Sequence, residues 1–161
     1  MTEAEFKGRL RLSGYEVDGN YDMIKALRMV KGIGQRLAEA IAGEFEKTEG
    51  VKKSTKIGYL SDEQLEKLEK IIASPGEFGI PTWMLNRRKD FESGRDIHLV
   101  GSDLEFAIQN DKKREMNMRS YRGVRHMFGL PVRGQRTRTM GRTGVTVGVQ
   151  RKKQQPAKKK K

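Results

Sequence analysis

The chain has 161 residues, 34 Lys+Arg against 21 Asp+Glu, a formal net charge of +13 and no cysteine. That composition excludes disulfides, thiolate nucleophiles and Cys-ligated zinc, and it fits a reducing compartment. No apolar run approaches the roughly 18–20 residues of a membrane span, and the acidic start Met1-Thr2-Glu3-Ala4-Glu5-Phe6 lacks the basic and apolar regions of a signal peptide, so a soluble, cytoplasmic protein with no membrane partner is expected. The charge is unevenly placed. Residues 1–110 carry 17 Lys+Arg and 19 Asp+Glu, a net of −2, whereas residues 111–161 carry 17 Lys+Arg and only Asp111 and Glu115, a net of +15. A near-neutral body with a cationic tail points to a polyanionic partner held by the tail. Nucleic-acid phosphate suits it, because neutralising phosphates releases counterions without any reading of bases. A membrane surface does not, since the tail lacks the apolar helical face of an interfacial helix.

In chain order, Phe6, Leu10, Leu12, Tyr15 and Val17, with Gly14 and Gly19, predict a short strand or irregular arm over 7–19. Asp18 or Asn20 reads as the N-cap of a first helix bearing Ile24, Leu27 and Val30. Gly32 and Gly34 stop it, and a second helix begins near Gln35 with Leu37, Ala38, Ile41 and Phe45 on one face. Residues 46–60 are polar and turn-like. Ser61-Asp62-Glu63-Gln64 is a capping-box pattern opening a third helix with Leu65, Leu68, Ile71 and Ile72 on one face, ended by Ser74-Pro75-Gly76. Ile80-Pro81 and Trp83-Met84-Leu85 suggest an apolar anchor, with Trp83 in the core or docking, and Asn86-Arg87-Arg88-Lys89 adds a basic cluster. A second capping-box pattern, Ser102-Asp103-Leu104-Glu105, predicts a fourth helix from Ser102 to Met116 or Met118 with Leu104, Ala107 and Ile108 on its apolar side. A helical turn is expected near 119–127. Residues 130–161, broken by glycines and poor in apolar side chains, are expected to be extended or disordered when free. The predicted fold class is mainly α: a helical body over 1–118 and a basic RNA-binding extension over 119–161.

The richest segment is Tyr121-Arg122-Gly123-Val124-Arg125-His126 followed by Gly129-Leu130-Pro131-Val132-Arg133-Gly134-Gln135-Arg136-Thr137-Arg138-Thr139. An extended chain alternates its side chains, so Arg136 and Arg138 share one side and Arg133 projects opposite to Arg136. Such a ribbon offers guanidinium forks to two phosphate walls, while the glycines let backbone pass close to folded RNA. Tyr121 and Phe128 have base stacking or packing on the fourth helix open to them. Lys31-Gly32-Ile33-Gly34 between two helices fits either a helix-hairpin-helix phosphate site or an ordinary glycine-capped turn. His98 and His126 stand alone in sequence and read as packed or RNA-facing. No nucleophile elbow, P-loop or metal-ligand spacing is present, so neither an enzyme nor a cofactor is expected.

The Tyr121–His126 and Gly129–Thr139 segments closely resemble the signature of the small-subunit ribosomal protein thirteen family. The Lys31–Gly34 turn and the capped helix at Ser61 sit where that family has them, and Ile80–Arg87 with Thr146-Val147-Gly148-Val149 resemble its longer archaeal and eukaryotic forms. The resemblance implies a helix-two-turn-helix body in the head of the small ribosomal subunit. It also implies contacts with small-subunit rRNA, with small-subunit ribosomal protein nineteen, with large-subunit ribosomal protein five across inter-subunit bridges, and with P-site tRNA. By carry-over, Arg122, Arg125, Arg133, Gln135, Arg136 and Arg138, with Lys31, Gly32 and Gly34, are the expected rRNA-binding residues. Arg142, Arg151, Lys152 and Lys153 are the expected tRNA-proximal ones. The competing reading is a DNA-binding or chromatin protein that uses the Gly-Ile-Gly turn and basic tail. A DNA glycosylase, which shares the helix-two-turn-helix body, needs a catalytic amine with a nearby carboxylate and a further domain that this chain does not show.

Overall fold

A computed structural model of the chain describes residues 6–140. They fall into two compact units, the first ending at Asp111 and the second starting at Lys112. The first unit opens with an antiparallel hairpin, β1 (Arg9–Leu12) and β2 (Tyr15–Asp18), pairing Leu10 with Val17 and Leu12 with Tyr15. Its alternation puts Leu10, Leu12 and Val17 in the core. Ser13 and Gly14 both take positive φ, as a two-residue hairpin turn with the right twist requires, and the Ser13 amide donates to Glu69 Oε1 at 2.8 Å.

Helix α1 (Met23–Met29) starts from Asp22, not from Asp18 or Asn20 as the sequence suggested. Asp18 spends its carboxylate locally, accepting from the amide and side chain of Asn20. Helix α2 (Gln35–Glu49) buries Leu37, Ala38, Ile41, Ala42 and Phe45 and ends on a left-handed Gly50. A short 3-10 turn (Ile57–Tyr59) leads to α3 (Asp62–Ala73), whose capping box is complete. Ser61 Oγ accepts from the Gln64 amide, and Gln64 Oε1 accepts from the Ser61 amide. Leu68, Ile71 and Ile72 close the core from this side, and a further 3-10 turn opens at Pro75 directly after Ser74. One apolar cluster runs from Leu10 to Ile80, at roughly 25 cal/mol per Å² of apolar surface removed from water.

Beyond Ile80 the chain forms a 3-10 turn (Thr82–Met84) and a long braced loop before α4 (Gly101–Asn117). Trp83 is not a core anchor: it is 70% exposed, while its neighbours Ile80 and Leu85 are buried. The expected cap at Ser102 does not form either. Gly101, at positive φ, opens the helix and donates its amide to the Lys31 carbonyl, and Glu105 pairs with the Lys31 ammonium instead of the Ser102 backbone. Leu104 and Ala107 are half-buried, and Ile108 stays exposed. After α4 the chain turns at Arg119, which takes positive φ, into α5 (Tyr121–Met127). Residues 130–140 form no helix or strand.

Candidate nucleic-acid interface

The second unit is organised by one tight corner. Ser120 caps α5 by accepting from the Gly123 amide at 3.0 Å and donates to Glu115 Oε2 at 2.9 Å. Gly123 then lies against the last turn of α4, where an added Cβ would stand 2.1 Å from the Glu115 carbonyl oxygen and 2.9 Å from Met116 Cα. No side chain fits there. Gly123 is thus a packing glycine between two helices.

This corner turns the rest of α5 outward. Tyr121 is 72% exposed and Phe128 69% exposed, so most of each ring is left uncovered. Val124 joins them at the i, i+3, i+7 spacing of one helix face. Arg122, Arg133 and Arg136 are exposed and hold no ion pair among the described residues; Gln135 and Arg138 are exposed too. Arg125 is half-buried and donates its Nε–H to the Pro131 carbonyl at 3.0 Å, which fixes the turn through Gly129 and Leu130 below the helix. Basic residues at this helix end also complement its dipole. The unit exposes both guanidinium groups and aromatic rings, the chemistry of phosphate forks and of stacking faces. Arg142, Arg151, Lys152 and Lys153 lie outside the described residues.

The Lys31–Gly34 turn is a joint within the first unit. Gly32 has φ +107°, and a Cβ there would meet the Leu99 carbonyl oxygen at 2.6 Å. Lys31 is tied to α4 through its carbonyl and its ammonium, and the Glu105 hydrogen bond raises its pKa. Gly34 alone is open, with nothing within 4 Å of its Cβ position; it precedes α2, whose first turn lacks a side-chain cap. His98 is buried, with neither ring nitrogen hydrogen-bonded among the described residues, and burial lowers its pKa, so it is a packed neutral imidazole. Among the described residues no cluster of His, Cys, Asp or Glu has the arrangement of a metal site, and no helix is long and apolar enough to cross a membrane.

Sequence reasoning missed the bracing of residues 86–99. Asn86 clamps the backbone of Leu99 with both ends of its amide, at 2.6 and 2.9 Å. Arg87, which the sequence grouped with a basic cluster, is enclosed by acids: Nε donates to Asp90 at 2.5 Å, and the two terminal nitrogens grip Asp111 at 2.8 and 3.2 Å. These bonds raise the Arg87 pKa and hold Asp90 down to about 2. Only the separation of Arg87 from Asp90 by three residues hinted at the pairing in sequence.

Comparison with known proteins agrees with the resemblance read from the signature. The family model described as ribosomal protein S13/S18 matches residues 11–143. The small ribosomal subunit protein uS13 of Sulfurisphaera tokodaii is 52% identical over 151 residues, covering 94% of this chain and 86% of the relative. The protein of that name from Saccharolobus solfataricus is 51% identical over 149 residues, covering 92% and 88%. That of Methanothermobacter thermautotrophicus is 48% identical over 151 residues, covering 94% and 99%. With most of its length matched by both the family model and these relatives, the chain belongs to the ribosomal protein S13/S18 family.

Proposed function

We propose that this chain is a non-catalytic structural constituent of the small ribosomal subunit head that binds rRNA, contributes to inter-subunit bridges and approaches P-site tRNA. Functionally it divides into a helical body over 1–118, which supplies shape and protein-facing surface, and an RNA-binding extension over 119–161. The observation that carries the reading is that Arg122, Arg133 and Arg136 are exposed without an ion pair among the described residues, in the same unit as the exposed rings of α5. Gln135 and Arg138 add hydrogen-bond donors, and Arg125 contacts RNA with the nitrogens not spent on Pro131. Gly34 and the first amides of α2 form a secondary phosphate contact; Lys31 joins it by exchanging Glu105 for phosphate, with Gly32 setting the turn. Arg142, Arg151, Lys152 and Lys153 are the tRNA-proximal group. Small-subunit ribosomal protein nineteen and large-subunit ribosomal protein five are the protein neighbours. Recognition rests on RNA shape and phosphate, not on a short sequence.

Titration against folded small-subunit rRNA over a salt series tests this. With about eight phosphates neutralised, log affinity falls with log salt at a slope of roughly −6 to −7. Replacing Arg133, Arg136 and Arg138 by Gln flattens that slope by about 2–3. A salt-insensitive affinity, or a preference for duplex DNA in competition, sinks the proposal. In sucrose gradients of cell extract, the full chain should travel with small subunits, and a chain ending at Met118 should stay at the top.

A further inference from the structure

The loop before α4 holds a feature that the C-terminal extension does not explain. Trp83 sits on a 3-10 turn closed by the Met84 amide on the Pro81 carbonyl at 3.0 Å and the Leu85 amide on the Thr82 carbonyl at 3.1 Å. Ile80 and Leu85 are buried at its two ends, and Met84 packs against the core. The indole is therefore presented to solvent from a pinned turn.

The loop that follows is a closed hairpin-like structure. The Arg87 and Ile97 backbones exchange two hydrogen bonds, and the Asp90 amide bonds the Arg95 carbonyl at 2.9 Å. Two of its acids are engaged within the loop. Asp90 accepts from Arg87 and Ser93, and Asp96 accepts from the Lys89 amide at 2.8 Å. Arg88, Lys89 and Arg95 are left exposed with no ion pair among the described residues, against Glu92 and Asp96 as the loop's exposed acids without one. Phe91 is exposed on the same loop.

We propose that the segment 81–95 is a second RNA site, separate from the C-terminal extension, in which Trp83 stacks on an unpaired base of rRNA and Arg88, Lys89 and Arg95 take neighbouring phosphates. This rests on the chain being an rRNA-binding protein, as proposed above. The occupant follows from the chemistry. A bare indole asks for a flat, weakly hydrated face, and exposed cations without ion pairs ask for negative charge. An unstacked nucleotide supplies both at once, whereas an apolar protein patch leaves the cations unmatched. A base inside a helix has no free face, so the site selects a loop, bulge or single strand.

Trp83 is the sole tryptophan of the chain, so its emission reports on this site alone. The full chain is titrated with transcribed small-subunit head rRNA while anisotropy of the labelled RNA follows binding as a whole. Trp83 emission is expected to be quenched in step with anisotropy. Trp83→Ala weakens affinity by roughly five- to a hundredfold and by the same factor at every salt concentration, Trp83→Phe keeps most of it, and Arg88→Gln lowers the salt slope by about 0.7–0.9. Circular dichroism of the variants checks that the fold is kept. If the RNA binds with unchanged emission and Trp83→Ala binds like the parent, the site falls and the ribosomal reading stands. If the emission changes only when a second ribosomal protein is added, Trp83 belongs to a protein interface and the proposal falls. If no RNA binds at all, both readings fall.

Discussion

From Leu10 to Ile80 the chain gathers most of its large apolar side chains into one interior, whereas from Lys112 to Met140 the only buried residue is Gly123. The two regions hold their shape by different means. In the first, burial of Phe45, Leu27, Ile41 and their neighbours dominates. In the second, a serine cap, a glycine contact and one Arg125–Pro131 bond define a corner, and Tyr121, Val124 and Phe128 stay outside. A region that hides its apolar groups needs no partner to fold. One that leaves aromatic rings exposed draws less of its stability from burial.

The sharpest way to break this comparison is to weaken each region by its own mechanism. Phe45→Ala deletes a fully buried ring from α2 and should cost about 3–5 kcal/mol in chemical denaturation. A loss under about 1 kcal/mol, the scale of an ordinary surface change, means that the apolar cluster does not carry the first unit. Gly123→Ala acts by collision instead. The new methyl meets the Glu115 carbonyl, so α5 must lift from α4 at a cost of about 1–3 kcal/mol. The readout is amide exchange at Val124 and Phe128, whose amides bond the Ser120 and Val124 carbonyls. Protection equal to that of the parent at both sites contradicts the packing role given to this glycine.

What the sequence made legible follows the same division. Features that depend on residues within one turn were readable: the capping box at Ser61 needs only Gln64, and the stop at Ser74 is followed directly by Pro75. The same letters misled at Ser102, because Glu105 is drawn away to Lys31 across a separation of 74 residues. Asp18 misled in a smaller way, since its carboxylate is consumed two residues on and Asp22 becomes the cap. The exposure of Arg122, Arg133, Arg136 and Arg138 could be read from residue type, because exposure is the default of arginine, whereas the Arg125 bond to Pro131 could not. Whether a glycine frees the backbone or admits a neighbouring helix is decided only by the fold, as Gly123 and Gly32 show. Trp83 was half legible: apolar neighbours at Ile80 and Leu85 left core and docking both open, and only the turn geometry separates the exposed indole from them.

The smallest effect expected is in acid, at the loop that carries Trp83. Asp90 accepts from Arg87 Nε, from the Ser93 amide and from the Ser93 hydroxyl, and these bonds hold its acid down to about 2. An unfolded aspartate titrates near about 3.9. Because the folded value is the lower one, the bracing is fully present above about pH 4 and is lost as pH falls through about 2. The Ser93 and Gly94 amide resonances should therefore move with a midpoint near 2, and Asp90→Asn should remove that titration while leaving the core signals of Ile41 and Phe45 in place. A midpoint near 4 means that Arg87 is held by Asp111 alone and that the loop is not closed by Asp90. The corner at Ser120 offers the contrast: its cap is a neutral hydroxyl accepting from the Gly123 amide, so that bond should hold through the same acid range, and the loop and the corner should part company as the pH falls.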